Sequence, residues 1–317
     1  MPIAAFGAIH LDTLARGSRQ IARDTSTPAR LSARPGGVAA NVATAAARLG
    51  ASAALVGRVG RDPEGDSLLA RLAGAGVDTR AIGRSDQHPT GRYIALHDPD
   101  GTLAAAVVDS AITDALRPGD LDADAPSVAD AGLWFLEANL PSPVLNELAA
   151  RGGRRRRCLV ADTVSRAKAP RLAALLPRLD LLLCNRGEAA ALVAALRGEP
   201  GARRQADADL PPPAELAIAL RAGGLAACVI SDGAGPATLA DATGIHTLAT
   251  PSGPIVDVTG AGDALIAGTL VGLDRGWPLA DAVRAGQAAA ALALQAEGAA
   301  PPTLTWPAVE TAMGRTA

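Results

Sequence analysis

Aromatic residues are scarce in this chain, where three Trp, two Phe and one Tyr make up 2% of 317 residues. Apolar residues nevertheless account for 49% of the sequence, so the interior must be built from Ala, Leu and Val. The chain is longer than most single domains, yet α/β enzymes of this size often form one domain with insertions. We therefore expect one α/β domain spanning residues 1–317.

Cysteine is also rare, and the three that occur are unclustered. Cys158, Cys184 and Cys228 each lie beside a short apolar run, a pattern that favours neither a disulfide framework nor a zinc site. No basic segment precedes the apolar residues at the N-terminus, and no stretch of about 18 residues is free of charges and breakers. We expect a cytoplasmic protein that does not enter the membrane.

Neither sign of charge dominates, since 30 Lys and Arg stand against 32 Asp and Glu and the formal net charge is −2. This balance gives no electrostatic reason to expect nucleic acid or an anionic membrane as a partner. Four consecutive arginines at 154–157 are the local exception, and they predict a solvated turn before a strand. The expected partners are therefore small molecules.

From about residue 127 onward, short apolar runs alternate with longer Ala- and Leu-rich segments. This alternation predicts a parallel sheet covered by helices. The predicted strands lie at residues 3–6, 133–138, 158–162, 181–184 and 226–231, and the predicted helices at 42–49, 142–151 and 187–196. Right-handed crossovers bring the C-terminal ends of parallel strands to one edge, where we expect ligands to bind.

Two segments interrupt this pattern, at about residues 13–35 and 87–110. The first is polar and rich in Arg, Ser and Thr. The second has a Pro-Asp-Gly turn at 99–101 between two apolar runs, which predicts a β-hairpin. We expect both to be lid segments that cover a substrate, exclude water and offer a surface for dimerisation.

A glycine-rich segment near the C-terminal end reads Gly260-Ala261-Gly262-Asp263 and precedes an apolar stretch of helical length. Amides at a helix N-terminus lack internal partners and carry the positive end of the dipole, so they suit a transferring phosphoryl group. Asp263 in the first turn would accept the proton of an attacking hydroxyl. A glycine-rich loop with an acidic residue that only favours the helix dipole fits the same pattern.

A second glycine pair, Gly36 and Gly37, precedes Asn41. The glycines allow a ligand to approach the backbone, and Asn41 at a helix start offers a donor and an acceptor for hydroxyls, although a simple N-cap fits equally. Asp12 follows the first predicted strand. It is either an acceptor for two adjacent sugar hydroxyls or a solvated loop residue.

The segments containing Gly36, Gly37, Asn41 and Gly50, taken with Gly260–Asp263, resemble the two signature regions of ribokinase-like (phosphofructokinase-B) carbohydrate kinases. The resemblance covers nearly the whole chain. It implies a ribokinase-like three-layer α/β/α fold with a mostly parallel central sheet and a small β-strand lid through which a homodimer forms. It also implies an ATP-dependent kinase.

Residue roles follow from the same resemblance. Asp263 is the implied base, and the backbone of Gly260, Ala261 and Gly262 is the implied anion hole. Substrate hydroxyls would be bound by Asp12, Gly36, Gly37 and Asn41.

Nucleotide and metal contacts are also implied. Asn185 and Glu188 match the family's Asn-x-x-Glu motif and would place magnesium and the ATP phosphates through water, whereas the motif by itself also fits an exposed helix start. The further ATP-site candidates are Ser231, Gly233, Thr259, Gly260, Gly262 and Gln287. Pro236 stands where a further glycine is expected, and potassium is the implied ion beside Asp257 and Thr259.

Within the family, the chain most resembles pseudouridine kinases, because Tyr93, Gly101 and Asp109 match their hairpin and Lys168 ends a matching segment. This likeness implies that Tyr93, Asp109 and Lys168 contact the substrate, with pseudouridine as the first candidate and ribose or another sugar as the alternative. His10 stands where those kinases have Asn, as either a substrate contact or a satisfied loop histidine. A ligand-binding protein without catalysis is the alternative of another class.

Overall fold

The computed structural model describes residues 2–199, 207–251, 253–296 and 298–315. Thirteen strands are formed by these residues: β1 Ile3–Phe6, β2 His10–Gly17, β3 Ala29–Gly36, β4 Ala53–Gly60, β5 Ile82–Ser85, β6 Gly91–His97, β7 Leu103–Asp109, β8 Leu133–Glu137, β9 Cys158–Asp162, β10 Leu181–Asn185, β11 Cys228–Ser231, β12 Ala237–Asp241 and β13 Gly244–Leu248.

Within the described ranges, nine of these strands form the central sheet, in the spatial order β13-β12-β11-β10-β9-β8-β1-β4-β5. The strands from β11 to β5 run parallel, whereas β12 and β13 form an antiparallel hairpin at the β11 edge. The predicted mostly parallel sheet is confirmed. Its strand ends bring residues from distant parts of the chain to one edge.

Helices cover both faces of this sheet: α1 Val38–Arg48, α2 Pro63–Gly74, α3 Ala111–Asp114, α4 Pro126–Ala129, α5 Ser142–Arg154, α6 Arg186–Leu196, α7 Pro213–Ala222, α8 Ala261–Asp274, α9 Leu279–Ala293 and α10 Trp306–Ala312, with 3₁₀ turns at Ala169–Arg178 and Asp207–Asp209. Successive strand residues point to opposite faces. Leu133 and Phe135 belong to a core cluster that includes residues of α1, α8 and α9, while Trp134 and Leu136 belong to a second cluster that includes residues of α5. Three layers result, as predicted.

A separate four-stranded sheet, ordered β3-β2-β6-β7, forms the lid. The β6–β7 hairpin closes through the turn predicted from the Pro-Asp-Gly sequence. One expectation was wrong, because His10 and Asp12 do not lie in a loop after the first strand. They belong to lid strand β2, which begins at His10.

Helix α1 also differs from its prediction, since it begins at Val38 with Gly37 as its N-cap. Asn41 is therefore inside the first turns, and its side chain is free to reach another element instead of capping the helix. The C-terminal end agrees with the sequence, because Gly50 follows the C-cap with a φ of 87°. No helix in the described ranges is both long and apolar enough to span a bilayer.

Candidate active site

Asp263 and Asn41 come from distant segments and meet at the N-terminal end of α8. Asn41 Nδ2 donates to Asp263 Oδ2 over 2.8 Å. Both residues lie on helices that pack against each other over the sheet, which holds the two side chains in register. The two signature regions therefore form one site.

The Asp263 carboxyl has the proton affinity of a base that works near neutral pH. Burial raises its pKa to about 7, the negative charge of Asp12 acts in the same direction, and the bond from Asn41 opposes them. A group with a pKa near the working pH can accept a proton and release it again. This property matches the role predicted for Asp263.

The start of α8 has the geometry predicted for an anion hole. Gly260 is the N-cap in the left-handed region, with φ 78°, and a Cβ there would lie 2.1 Å from Ala299 Cα. Only glycine fits this position. Gly262 is exposed, and a Cβ added to it would meet nothing within 4 Å, so a ligand has room beside the free amides of the first turn.

Asp12 is placed over the glycine pair by the pairing of β2 with β3. His10 is opposite Gly36 and Asp12 is opposite Arg34 in this antiparallel pair. A Cβ on Gly36 would fall 2.1 Å from the Asp12 carboxylate, so the carboxylate lies directly on the glycine. Burial raises the pKa of Asp12 to about 6, and the Arg34 guanidinium opposes that rise.

Asp257 and Thr259 lie in the loop that leads into α8. Asp257 Oδ1 accepts from Thr259 N at 2.8 Å, and Oδ2 accepts from Gly298 N at 3.0 Å. Arg34 from the lid reaches the same carboxylate, with Nη1 at 3.7 Å from Oδ2. The predicted potassium-binding carboxylate is therefore already bonded through both of its oxygens.

Asn185 and Glu188 form a capping box at the start of α6. Asn185 Oδ1 accepts from Glu188 N at 2.9 Å, and Glu188 Oε2 accepts from Asn185 N at 3.0 Å. Thr163 Oγ1 donates to the same Oε2 at 2.7 Å. Glu188 is buried whereas Asn185 is exposed, so the alternative of an exposed helix start is contradicted for Glu188 only.

Asp162 is a further carboxyl group at this sheet edge, at the end of β9. Burial, together with the charges of Glu188 and Asp263, raises its pKa well above the ordinary carboxyl value. Two residues later, Val164 has a φ of 63°, which is unusual for a β-branched side chain. Such strain often occurs at functional sites, because surrounding contacts must hold it in place.

A cavity of about 210 Å³ opens beside the start of α8. Ser231, Gly233, Gln287 and Gly262, four of the predicted ATP-site residues, line it. Its remaining walls are mostly small or apolar: Gly235, Ala237, Thr250, Pro251, Ala261, Leu265, Ala290, Ala291 and Leu294. A flat apolar base fits such walls, and its phosphates would then extend toward the helix N-terminus. Three other predicted ATP-site residues are not among the lining residues: Asn185, Thr259 and Gly260.

His10 lies opposite Gly36 in the β2–β3 pair, and the charge of Lys168 acts on its ring. His10 is 93% buried, since only 7% of its surface is exposed, and its Nε2 has no hydrogen-bond partner in the described structure. Burial lowers its pKa to about 4, and Lys168 contributes to the decrease, so the ring is neutral near pH 7. The alternative of a satisfied loop histidine is wrong on both counts.

Tyr93 and Asp109 occupy the lid. Tyr93 pairs in register with Asp12 and with Val108, and it is half-buried. Asp109 ends β7, is exposed, and accepts from Ala111 N at 3.1 Å. The structure thus places Tyr93 beside Asp12. Asp109 already accepts one hydrogen bond, and its negative charge opposes the decrease in the His10 pKa.

Sequence reasoning missed Glu137, which has no exposed surface. Its carboxylate accepts from Ala8 N, Asn139 N and Asn139 Nδ2, and burial raises its pKa to about 7. Lys168, the only lysine of the chain, donates to Asn139 Oδ1. The available signal was that Glu137 is the next-to-last residue of a predicted strand, close to the ligand edge. Asp162 and Thr163 carried the same signal.

In the described part of the chain, no group of three or more His, Cys, Asp and Glu side chains is arranged to hold a metal ion. Magnesium held mainly by phosphates and water does not need such a group. The carboxylate and amide oxygens of Glu188 and Asn185 are the hard donors that a hydrated magnesium prefers. The donor set therefore fits magnesium in company with a nucleotide.

The sequence profile described as pfkB family carbohydrate kinase matches residues 3–306. A ribokinase of Arabidopsis thaliana is 26% identical over 248 residues, which are 78% of this chain but only 63% of that protein. A carbohydrate kinase from Agrobacterium tumefaciens gives a TM-score of 0.85 at 27% identity and covers 100% of this chain and 98% of its own. A structure of A. thaliana ribokinase complexed with ribose and ATP gives 0.82 at 22% identity over 98% of both chains. The ribokinase-like fold is confirmed.

Proposed function

Because the chain belongs to the pfkB family of carbohydrate kinases, we propose that it transfers the γ-phosphoryl group of ATP to a primary hydroxyl of a small sugar or nucleoside. One observation carries this proposal. Asp263, with a pKa of about 7, stands in the first turn of a helix whose N-terminal end adjoins the cavity lined by Ser231, Gly233 and Gln287. Base and anion hole are adjacent, as phosphoryl transfer to a hydroxyl requires.

In the proposed reaction, Asp263 takes the proton of the primary hydroxyl while that oxygen attacks the γ-phosphorus. The bond between the γ-phosphorus and the β,γ-bridging oxygen breaks, and ADP leaves with the electron pair. The amides of Gly260, Ala261 and Gly262 would stabilise the charge on the transferring group. Magnesium, placed by Asn185 and Glu188 through water, would neutralise the phosphates.

The acceptor is proposed to bind between the lid and the glycine pair. Asp12 would accept from two sugar hydroxyls, and Asn41 would orient both Asp263 and the acceptor. The missing side chain of Gly36 leaves room for the Asp12 carboxylate, and that of Gly37 leaves room for Ala8 O. Lid closure would exclude water, which otherwise competes as an acceptor.

Pseudouridine is the first proposed acceptor, and ribose is the second. Support for a nucleoside comes from Tyr93 beside Asp12 and from the buried His10. Its Nε2 has no hydrogen-bond partner among the described residues, and the charge of Lys168 acts on its ring. A polar base edge would satisfy such groups. Support for ribose comes from the A. thaliana ribokinase relative, and both acceptors present the same primary hydroxyl.

An assay of ADP release across pseudouridine, uridine, adenosine, ribose and fructose 6-phosphate separates these acceptors. We expect the highest kcat/KM with pseudouridine, and mass spectrometry should show one phosphate added. Rapid turnover of ribose without turnover of pseudouridine would reject the first acceptor and leave the kinase class intact. Binding of ATP and acceptors without turnover of any of them would support the non-catalytic alternative.

We further propose that the protein forms a homodimer through its lid and that it works in the cytoplasm. The outer face of the lid supports the dimer, because Leu31 is 69% exposed and Val107 is 65% exposed. Burying these side chains against a second copy would remove apolar surface from water. Residues 13–35 and 87–110 would then serve both as lid and as interface.

A further inference from the structure

Arg34 joins the lid to the loop that precedes the anion hole. It lies on lid strand β3 opposite Asp12, and its Nη1 is 3.7 Å from Asp257 Oδ2. The guanidinium also lies against Gly298, where an added Cβ would be 3.4 Å from Nη1. The Arg34 and Asp257 side chains are each about one quarter exposed, so water screens this pair only in part.

The existing partners of the Asp257 carboxylate disfavour the binding of another cation to it. Each oxygen already accepts an N–H, and the positive neighbour is a guanidinium. A potassium ion at this carboxylate would have to displace Arg34 or be repelled by it. The side chain of Asp257 therefore does not fit the potassium site implied by the family resemblance.

We propose that Arg34 is a positioning residue which supplies, from the lid, the positive charge that a monovalent cation would otherwise supply beside Asp257. The proposal rests on the kinase function proposed above. It follows that the anion hole at Gly260–Gly262 keeps its geometry without potassium. It also follows that the acceptor side of the lid and the phosphoryl-transfer site are held together by one ion pair.

The position of Asp257 explains why this charge matters. Asp257 fixes Thr259 N, and Gly260 begins the turn that presents the anion-hole amides. A misplacement of about 1 Å in a catalytic group can cost about 100-fold in rate. Arg34 also opposes the rise in the Asp12 pKa, so the same guanidinium acts on the acceptor side.

The test compares the wild type with Arg34→Met in potassium, sodium and choline chloride at equal ionic strength. We expect the wild-type kcat to agree within about twofold across the salts, and its melting temperature to be the same in each. Arg34→Met should lose about 10- to 100-fold in kcat with a smaller change in the KM for ATP. Potassium should restore part of that rate and should raise the melting temperature of the variant alone.

Arg30→Met is the matched control, since Arg30 is an exposed arginine on the same strand. It should keep the wild-type rate and show no potassium effect, while Arg34→Lys should recover part of the rate. A wild type whose rate or melting temperature rises strongly in potassium would overturn the proposal. An Arg34→Met variant with unchanged kcat would do the same.

The comparison of the wild type in the three salts tests whether the protein needs potassium, even if Arg34→Met does not fold. Melting temperature is read without turnover, so the inference is also tested if no acceptor is phosphorylated. In that case the proposed function fails, while equal wild-type melting temperatures in all salts still support Arg34 as the internal cation.

Discussion

Burial raises the pKa of Asp263 to about 7, which suits a general base but makes its ionised form costly to the folded state. Asp263→Asn should lower kcat/KM by about 100- to 10,000-fold, the usual contribution of a general base, while ATP binding is retained. The measurement is ADP release with the best acceptor, together with calorimetric titration of ATP. An Asn variant that turns over at the wild-type rate would exclude Asp263 as the base.

The same substitution should stabilise the protein at high pH. The folded-state pKa of Asp263, about 7, lies above the ordinary carboxyl value, so its contribution to stability is greatest at low pH and is lost as pH rises through 7. Asp263→Asn removes that ionisation. Its melting temperature should exceed that of the wild type at pH 8, and the difference should shrink toward pH 4.

Asn41 should set the pH at which the base works. Its bond lowers the Asp263 pKa, so Asn41→Ala should move the acidic limb of the kcat/KM profile upward by up to about one pH unit. The rate should therefore fall more at pH 6 than at pH 8.5. Thr44→Ala, on the same helix but bonded only to Ala40 O in the described structure, should leave the limb unchanged.

Single residues differ in how far the sequence could predict them. Asp263 could be predicted, because the proposed base and the proposed anion hole lie within four consecutive residues. Glu137 was not, because its partner Ala8 is 129 residues away and only the pairing of β1 with β8 brings them together. Asn41 was predicted as a site residue, but its contact with Asp263 spans 222 residues.

At the scale of elements, the capping box of α6 links a structural role to a proposed magnesium site. Thr163→Val should remove the donor to Glu188 Oε2 while keeping the volume of this fully buried side chain. The magnesium concentration for half-maximal rate should rise, by about tenfold if Thr163 acts like other groups that orient metal ligands. A magnesium titration at fixed ATP measures this.

Thr269→Val is the control for a buried Thr, because Thr269 Oγ1 donates to Leu265 O within its own helix. It should leave the magnesium dependence unchanged. If both variants and the wild type show the same dependence of rate on magnesium concentration, Thr163 does not help to place the metal and has only a structural role.

Strand prediction succeeded in the core and failed in the lid for a physical reason. The central strands are buried on both faces and appear in the sequence as continuous apolar runs, such as Leu133–Glu137. Strand β2 contains His10, Asp12 and Arg16, and its burial does not alternate along the strand. Without a period-2 pattern, its first residues were predicted as a loop.

At the scale of the molecule, the two faces of the lid have different surroundings. Asp12 and Arg34 share the face toward the catalytic residues, whereas Leu31, Ile94 and Val107 share the opposite face by their strand pairing. These three side chains are 69%, 36% and 65% exposed. A second copy on that face would brace the lid without blocking the acceptor side.

Val107→Glu should therefore convert the proposed dimer into a monomer, because a carboxylate at the interface would have to be desolvated without a partner. Light scattering after size-exclusion chromatography measures the mass, and the KM for the acceptor should rise because the lid is no longer braced. Ile218→Glu, at a 56% exposed position on α7, should leave both mass and KM unchanged. A wild type that is monomeric at micromolar concentration, or a Val107→Glu variant that stays dimeric, would refute the lid as the interface.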